Sequence, residues 1–343
     1  MQSRISTIFL RNKQEYLFYQ SQCLSVARTL LSTQKKLTAL FFLLFFSAFS
    51  QQSFAYTFDK TSSLAVAPDS SSRTAGEIFV NDFNDAFKDG LGYVSRPLRF
   101  STFDWFLTSS VIAGSIAFLP NDEILRRQMQ MIPASPANVV VAPVAAVGRI
   151  YGETLVAGGI AAAIYGGGLL ANEDHVRVTG RLALEALVYG GALNLVFKSA
   201  FGRSRPFLEE GAMRFQPLQF TNERTSFPSG HATVAFAVST VLAERIYERT
   251  KTPWASIGLY SLAAITALSR MYHDVHWASD VFLGSAIGIG AGLAVVQFER
   301  ERRDGAEHST ESHSPSHSSV SPSVPALRIF PTLNGLALVY SLP

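Results

Sequence analysis

The 343-residue chain predicts an all-α fold: a helical bundle of about six core helices, membrane-embedded, with a short C-terminal β-hairpin. Three observations predict it. Six apolar segments follow one another between Trp105 and Phe298, and they are rich in Ala and Gly, as tightly packed helices tend to be. None alternates polar and apolar residues in the manner of a half-buried strand.

The elements follow in chain order. Lys35-Lys36, the apolar run from Leu37 to Phe49 and the small residues Ser53 and Ala55 flanking Phe54 form a leader that suits a signal peptidase. Residues 1–55 are therefore expected to be a signal peptide cut after Ala55, or a signal anchor that stays in the membrane. Residues 56–99 form a lead segment. In it Phe79, Val80, Phe83 and Phe87 recur at helical spacing among Asn, Asp and Lys, which predicts an amphipathic helix lying with that face on the core.

The bundle occupies 100–300, with apolar segments at 105–119, 139–170 (broken by Arg149 and Glu153), 182–197, 232–242, 254–268 and 281–298. Spanning a bilayer takes about 20 apolar residues, and 154–170 and 281–298 come near that length. Arg245, Arg249 and Lys251 follow the fourth segment, and Arg300, Arg302 and Arg303 follow the sixth. Positive charge favours the cytoplasmic side, so those ends are expected inside and the opposite ends outside. An exported leader followed by six crossings would reverse that arrangement. One early segment is then expected to be interfacial, the short 105–119 being the choice; the alternative is a soluble secreted bundle whose helices are apolar because they are core.

Residues 301–325 are Ser-, His- and Pro-rich toward their end and predict a flexible linker, with His308, His313 and His317 read as solvated rather than metal-binding. Residues 326–343 carry two apolar runs around Asn334-Gly335, the dipeptide favoured in a two-residue type I′ turn, and predict the hairpin.

Charge excludes little until the leader is set aside. Residues 1–55 hold six of the 29 Lys and Arg and one of the 26 Asp and Glu, so the remainder carries 23 basic and 25 acidic groups. Its basic residues cluster at motifs and helix ends without interleaved aromatic platforms, which argues against nucleic acid as a partner. The single cysteine, Cys23, lies in the leader, so the rest of the chain has neither disulfides nor thiol chemistry.

The chemistry is concentrated in three blocks. Lys198 precedes Arg205-Pro206; Pro228-Ser229-Gly230-His231 comes next; Ser269-Arg270 is followed by His276 and Asp280. Lys198, Arg205 and Arg270 supply three positive charges, which a phosphoryl group in transfer needs on its equatorial oxygens. Ser229 is a natural helix N-cap, and Gly230 lets backbone N–H groups approach an oxyanion. His231 and His276 supply two imidazoles, and Asp280, four residues after His276, is spaced to share its face on a helix. A metal site at His273, Asp274, His276 and Asp280 is the rival, disfavoured because three cations beside it would repel a divalent ion. Arg203 matches no block and is read as surface or rim charge.

These blocks resemble the three-part signature of the type 2 phosphatidic acid phosphatase and vanadium haloperoxidase superfamily at eleven positions, over about residues 100–298. The resemblance implies that His276 is the nucleophile and forms a phosphohistidine, that Asp280 orients it, and that His231 is the general acid. It implies that Lys198, Arg205, Ser229, Gly230 and Arg270 bind phosphate, with no metal and no cofactor, vanadate being an inhibitor able to occupy the same site. The expected function is a cell-envelope phosphatase acting on a phosphomonoester or pyrophosphate, a phosphorylated lipid before a small phosphate ester, with its site facing the periplasm or exterior. The alternatives are a soluble secreted acid phosphatase of broad specificity and a vanadium-dependent haloperoxidase.

Overall fold

The computed structural model describes residues 74–219, 221–311, 326–332 and 335–341. The expected leader and the linker beyond residue 311 lie outside the described residues.

Helix α1 (Ala75–Ser95) leads into α2 (Thr102–Phe118), which starts at a capping box: the Asp104 N–H donates to Ser101 Oγ, 3.2 Å, and the Ser101 N–H to Asp104 Oδ2, 2.9 Å. The short α3 (Asp122–Gln130) follows. The second apolar segment divides at Gly152-Glu153 into α4 (Asn138–Tyr151) and α5 (Thr154–Ala171). Then come α6 (Asp174–Phe201), α7 (Gly230–Thr250), α8 (Trp254–Tyr272) and α9 (Ala278–Glu311). The last runs into the stretch expected to be linker, as far as Glu311.

Helices α7 and α9 pack side by side, Gly284, Gly288 and Gly292 lying against Ser229, Thr233 and Thr240. At one end α7 and α9 begin together, with the Ser229 N–H donating to Asp280 O at 2.9 Å; at the other, Arg300 Nε donates to Glu248 Oε1 at 2.9 Å. Helix α2 runs along α9, with Gly92 and Arg96, just before it, against Phe298 and its last residue, Phe118, against Phe282. Helix α5 descends from beside His231, and Gly168 near its end lies against the backbone of Val176 and Arg177, where a side chain would not fit. Helix α4 packs against α8: Asn138 Oδ1 accepts from Tyr272 Oη at 2.6 Å, while Gly152 just beyond its other end abuts Thr266 and His231. The stretch Thr102–Gln130, which contains the segment expected to be interfacial, has the length and apolarity to cross a membrane, and Asn138–Tyr151 is a shorter apolar helix.

Close packing follows from small residues. Ala161, Leu182, Ala183, Ala186, Ala237, Val241, Val295 and Val296 from α5, α6, α7 and α9 make one buried cluster. At about 25 cal/mol per Å² of apolar surface removed from water, such a cluster is the main force holding the four helices together in an aqueous reference. Outside, large apolar side chains are exposed on successive helices, among them Phe106 and Ile116 of α2, Leu155 of α5, Val188 of α6 and Ile257 of α8. Thr102–Gln130, Thr154–Ala171, Asp174–Phe201 and Ala278–Ala306 are long and apolar enough to cross a membrane.

Helix α1 reverses the sequence expectation. Phe79, Val80, Phe83 and Phe87 are exposed and face away from the bundle. Its acidic face docks instead: Asp82 pairs with Arg177, Asp85 with Arg181 at 3.3 Å, and Asp89 with Arg302 at 2.6 Å. Buried arginines need counter-charges more than this helix needs to bury its phenylalanines in the bundle.

Strands β1 (Ala326–Thr332) and β2 (Gly335–Ser341) pair antiparallel, with Ala326 opposite Ser341 and Thr332 opposite Gly335. Gly335 thus pairs within the strand rather than sitting in the turn expected at Asn334-Gly335; residues 333 and 334 lie outside the described residues.

Candidate active site

The three blocks meet at the end of the bundle where α7 and α9 begin. Helix α6 stops at Gly202, whose φ of +56° favours glycine and whose Cα lies so close to Gln216 O that a Cβ would stand 1.7 Å from it. Lys198 is therefore inside the last turn of α6 rather than beyond the helix, and Arg205-Pro206 lie in the following loop.

Backbone hydrogen bonds stitch the blocks together. The Ser226 N–H donates to Arg203 O at 3.0 Å, joining the first to the second, and Ser229 N–H to Asp280 O joins the second to the third. Trp277 Nε1 donates to Ser204 O at 2.9 Å, joining the first to the third. Arg205 is held by Asn222, through Nε to its carbonyl at 2.8 Å and Nη2 to its side chain at 2.7 Å. From there it lies within electrostatic reach of Lys198, His231, Arg270 and His276.

Ser229 caps α7 through its side chain, which accepts from the Ala232 N–H at 3.5 Å, and is fully buried. Gly230 opens the helix with Lys198 Cε 3.8 Å from where its Cβ would be. Lys198 Nζ donates to Thr225 O. Arg270, in the last turn of α8, is 7% exposed, yet its Nε and Nη1 have no protein partner among the described residues. Unpaired buried N–H groups are costly, and a guanidinium offers two of them as a fork that fits an oxyanion.

His276 lies in the turn before α9, not on a shared helix with Asp280, although its Nδ1 is still 3.5 Å from Asp280 Oδ2. Asp280 is the third residue of α9 and accepts from the Trp277 N–H at 2.9 Å, as an acidic residue at that position does in a capping box. Burial, and after it the charges of Lys198 and Arg205, push the His276 imidazole down to about 3 against the pull of Asp280. Its ring is neutral near pH 7, with one nitrogen held toward the carboxylate. His273 and Asp274, of the rival metal reading, are engaged elsewhere: Asp274 takes two hydrogen bonds from Arg126, at 2.7 and 2.6 Å, and His273 Nδ1 lies 2.6 Å from Ser269 O.

Residues 180–304, which contain all three blocks, match the model of the PAP2 superfamily. Among curated proteins, a lipid A 1-phosphatase of Porphyromonas gingivalis is 36% identical over 110 residues, 32% of this chain and 21% of the relative. An acid phosphatase of Zymomonas mobilis is 30% identical over 113 residues, 31% of this chain and 39% of the relative. The match thus spans about a fifth and two fifths of the lengths of these relatives. Two solved structures, LpxE of Aquifex aeolicus and a transmembrane PAP2-type phosphatidylglycerolphosphate phosphatase of Bacillus subtilis, are each 22% identical. They align over 51% and 56% of this chain and 94% and 96% of theirs, with TM-scores of 0.38 and 0.44.

Several residues around the candidate site carry no mark in the sequence. Glu153 Oε1 stands 3.3 Å from His231 Nε2, although in the sequence it is only a break in an apolar run. Ser226 Oγ donates to Asp280 Oδ2 at 2.5 Å. Arg203, expected at the surface, is completely buried and bonded to Asp280. Only position signals Ser226, three residues before Ser229; nothing local marks Glu153 or the burial of Arg203, because both depend on what other helices bring to them.

Proposed function

We propose that this protein is a membrane-embedded phosphatase of the cell envelope that hydrolyses a lipid phosphate through a phosphohistidine at His276. The observation that carries the reading is Arg270: a buried guanidinium with two N–H groups unpartnered among the described residues, within electrostatic reach of Arg205, as are Lys198 and both histidines. Such a group is stable when an oxyanion completes it.

In this mechanism Lys198, Arg205, Arg270 and the backbone N–H groups at the start of α7 hold the phosphate oxygens. Nε2 of His276 attacks phosphorus, the bond to the leaving oxygen breaks, and His231 gives that oxygen its proton. Water then attacks the phosphohistidine, losing its proton to His231 and freeing His276. Glu153 steadies His231, and Asp280 steadies His276. A lipid is favoured as substrate because the helices around the site present apolar side chains outward. The curated relatives named for lipid A and acid phosphatase activity agree with phosphate ester chemistry. Arginines at the ends of α7 and α9 remote from the site favour a cytoplasmic position for that end and support a site facing outward.

The test is turnover of a phosphate ester by the purified protein with EDTA, then a panel of phosphatidate, an isoprenyl pyrophosphate and a soluble ester in detergent. Undiminished turnover and preference for a lipid are expected. Strict dependence on an added divalent ion would sink the phosphohistidine, and preference for the soluble ester would defeat the lipid. Bromide oxidation after vanadate loading, without phosphate release, would put a haloperoxidase in its place.

A further inference from the structure

Arg203 sits between two buried carboxylates. Its Nη1 donates to Asp280 Oδ1 at 2.6 Å and its Nη2 to Asp122 Oδ2 at 2.7 Å, and all three side chains are 0% exposed. Nε and Nη2 also donate to Ala212 O, at 2.9 and 2.6 Å, and Nη1 to Ser279 Oγ at 2.7 Å. Rings of Phe215 and Trp277 cover the guanidinium, each centroid 5.3 Å from its carbon. Such a group has one position available to it, since every alternative leaves a buried charge uncompensated.

The consequence passes to Asp280. Its Oδ2 accepts from Ser226 Oγ and the Trp277 N–H and faces His276 Nδ1, while Oδ1 is taken by Arg203. With both oxygens engaged, the carboxylate cannot rotate. Asp122 in turn is fixed by the Ser279 N–H at 2.9 Å and Ser279 Oγ at 2.6 Å. It opens α3, a helix clamped over the catalytic loops: Glu123 Oε1 accepts from the Ala212 N–H at 2.9 Å, Arg126 grips Asp274, and Gln130 Nε2 donates to Met271 O at 3.0 Å.

We propose that Asp122 and Arg203 are positioning residues that lock Asp280, and through it His276, so that they set the rate of the nucleophilic step without touching the phosphate. The inference rests on the phosphohistidine reading and adds to it the part played by α3. Asp122 belongs to no catalytic block. A purely architectural role would be expected to change how many molecules fold, not how fast a folded one reacts.

The experiment uses the full chain in detergent, with Arg203→Gln, Arg203→Lys and Asp122→Asn. Rapid-quench trapping of the labelled phosphoenzyme from a ³²P-labelled phosphate ester gives both the number of competent sites and the rate per site, across pH. Arg203→Gln and Asp122→Asn should each lower the rate of label formation per site by about 10- to 100-fold, by analogy with the loss when a partner that orients a metal-ligating histidine is removed, with KM little changed. Arg203→Lys should recover part of the loss. The acid limb of the rate should move in opposite directions. Removing the Arg203 charge leaves Asp280 less neutralised, favours the imidazolium and shifts the limb to higher pH; removing the Asp122 charge does the reverse. A structural defect alone would not give opposite shifts.

If Arg203→Gln fails to fold, the nearly isosteric Asp122→Asn carries the test by itself. Rates per site and acid limbs equal to those of the unmodified protein, with losses confined to the number of competent sites, would overturn the relay alone. No label in the unmodified protein would overturn the phosphohistidine reading and the relay with it.

Discussion

Ser229 and Gly284 meet backbone to backbone: a Cβ on Gly284 would stand 2.4 Å from Ser229 O and 3.1 Å from Ser229 N. Helix α9 thus sets the position of the N-terminus of α7, and with it His231, because no side chain separates the two helices there. A backbone oxygen cannot swing aside as a long side chain can.

Gly284→Ala should therefore destabilise the protein by about 1–3 kcal/mol, the usual range for overpacking a close contact, and lower activity by displacing His231. The control is Gly290→Ala on the same helix, where a Cβ meets nothing within 4 Å. Replacing a glycine inside a helix with alanine is favourable by up to about 1 kcal/mol. Thermal midpoints and turnover of both variants check the pair; equal behaviour would mean that α7 shifts without loss.

The two histidines should separate by leaving group. His276→Ala removes the nucleophile, so activity collapses on every substrate. His231→Ala removes only the proton for the departing oxygen, a factor of roughly 100- to 10,000-fold for a poor leaving group. That variant should lose alkyl and lipid phosphates yet keep much of its p-nitrophenyl phosphate activity. Aryl activity retained by His276→Ala and lost by His231→Ala would reverse the two roles.

Acid should cost stability through His276. An unfolded imidazole binds a proton near pH 6.5, whereas in the fold burial holds it down to about 3. Between those values the unfolded state binds more protons, so stability falls as pH drops, by at most about 1.4 kcal/mol per pH unit. His276→Gln should lose less stability between pH 7 and pH 4.5 than the unmodified protein, as read from thermal midpoints. Identical losses would place the titration elsewhere.

Topology can be read with single cysteines in a Cys23→Ser background. Met213, exposed at the catalytic end, and Thr252, in the loop after α7 at the opposite end, bracket the bundle. Met213→Cys should react with an impermeant maleimide from outside intact cells, and Thr252→Cys only after the inner membrane is opened. Equal labelling of both, with release of the protein by osmotic shock, would show a soluble bundle.

The sequence alone determined the helical class, the order of the three blocks and the identity of the eight proposed site residues, because helix periodicity and motif spacing are local properties. It also marked where α7 begins: Ser229 precedes it as the N-cap by its own side-chain preference. Only the tertiary structure decided which face of α1 turns inward, since Asp82, Asp85 and Asp89 dock on arginines far along the chain. It likewise decided that Arg203 is buried between Asp122 and Asp280. A lone arginine or aspartate carries no local sign of its environment. Its burial is settled by whether another segment brings an opposite charge to meet it, and in this fold the segment that does so for Arg203 is separated from it by 81 residues.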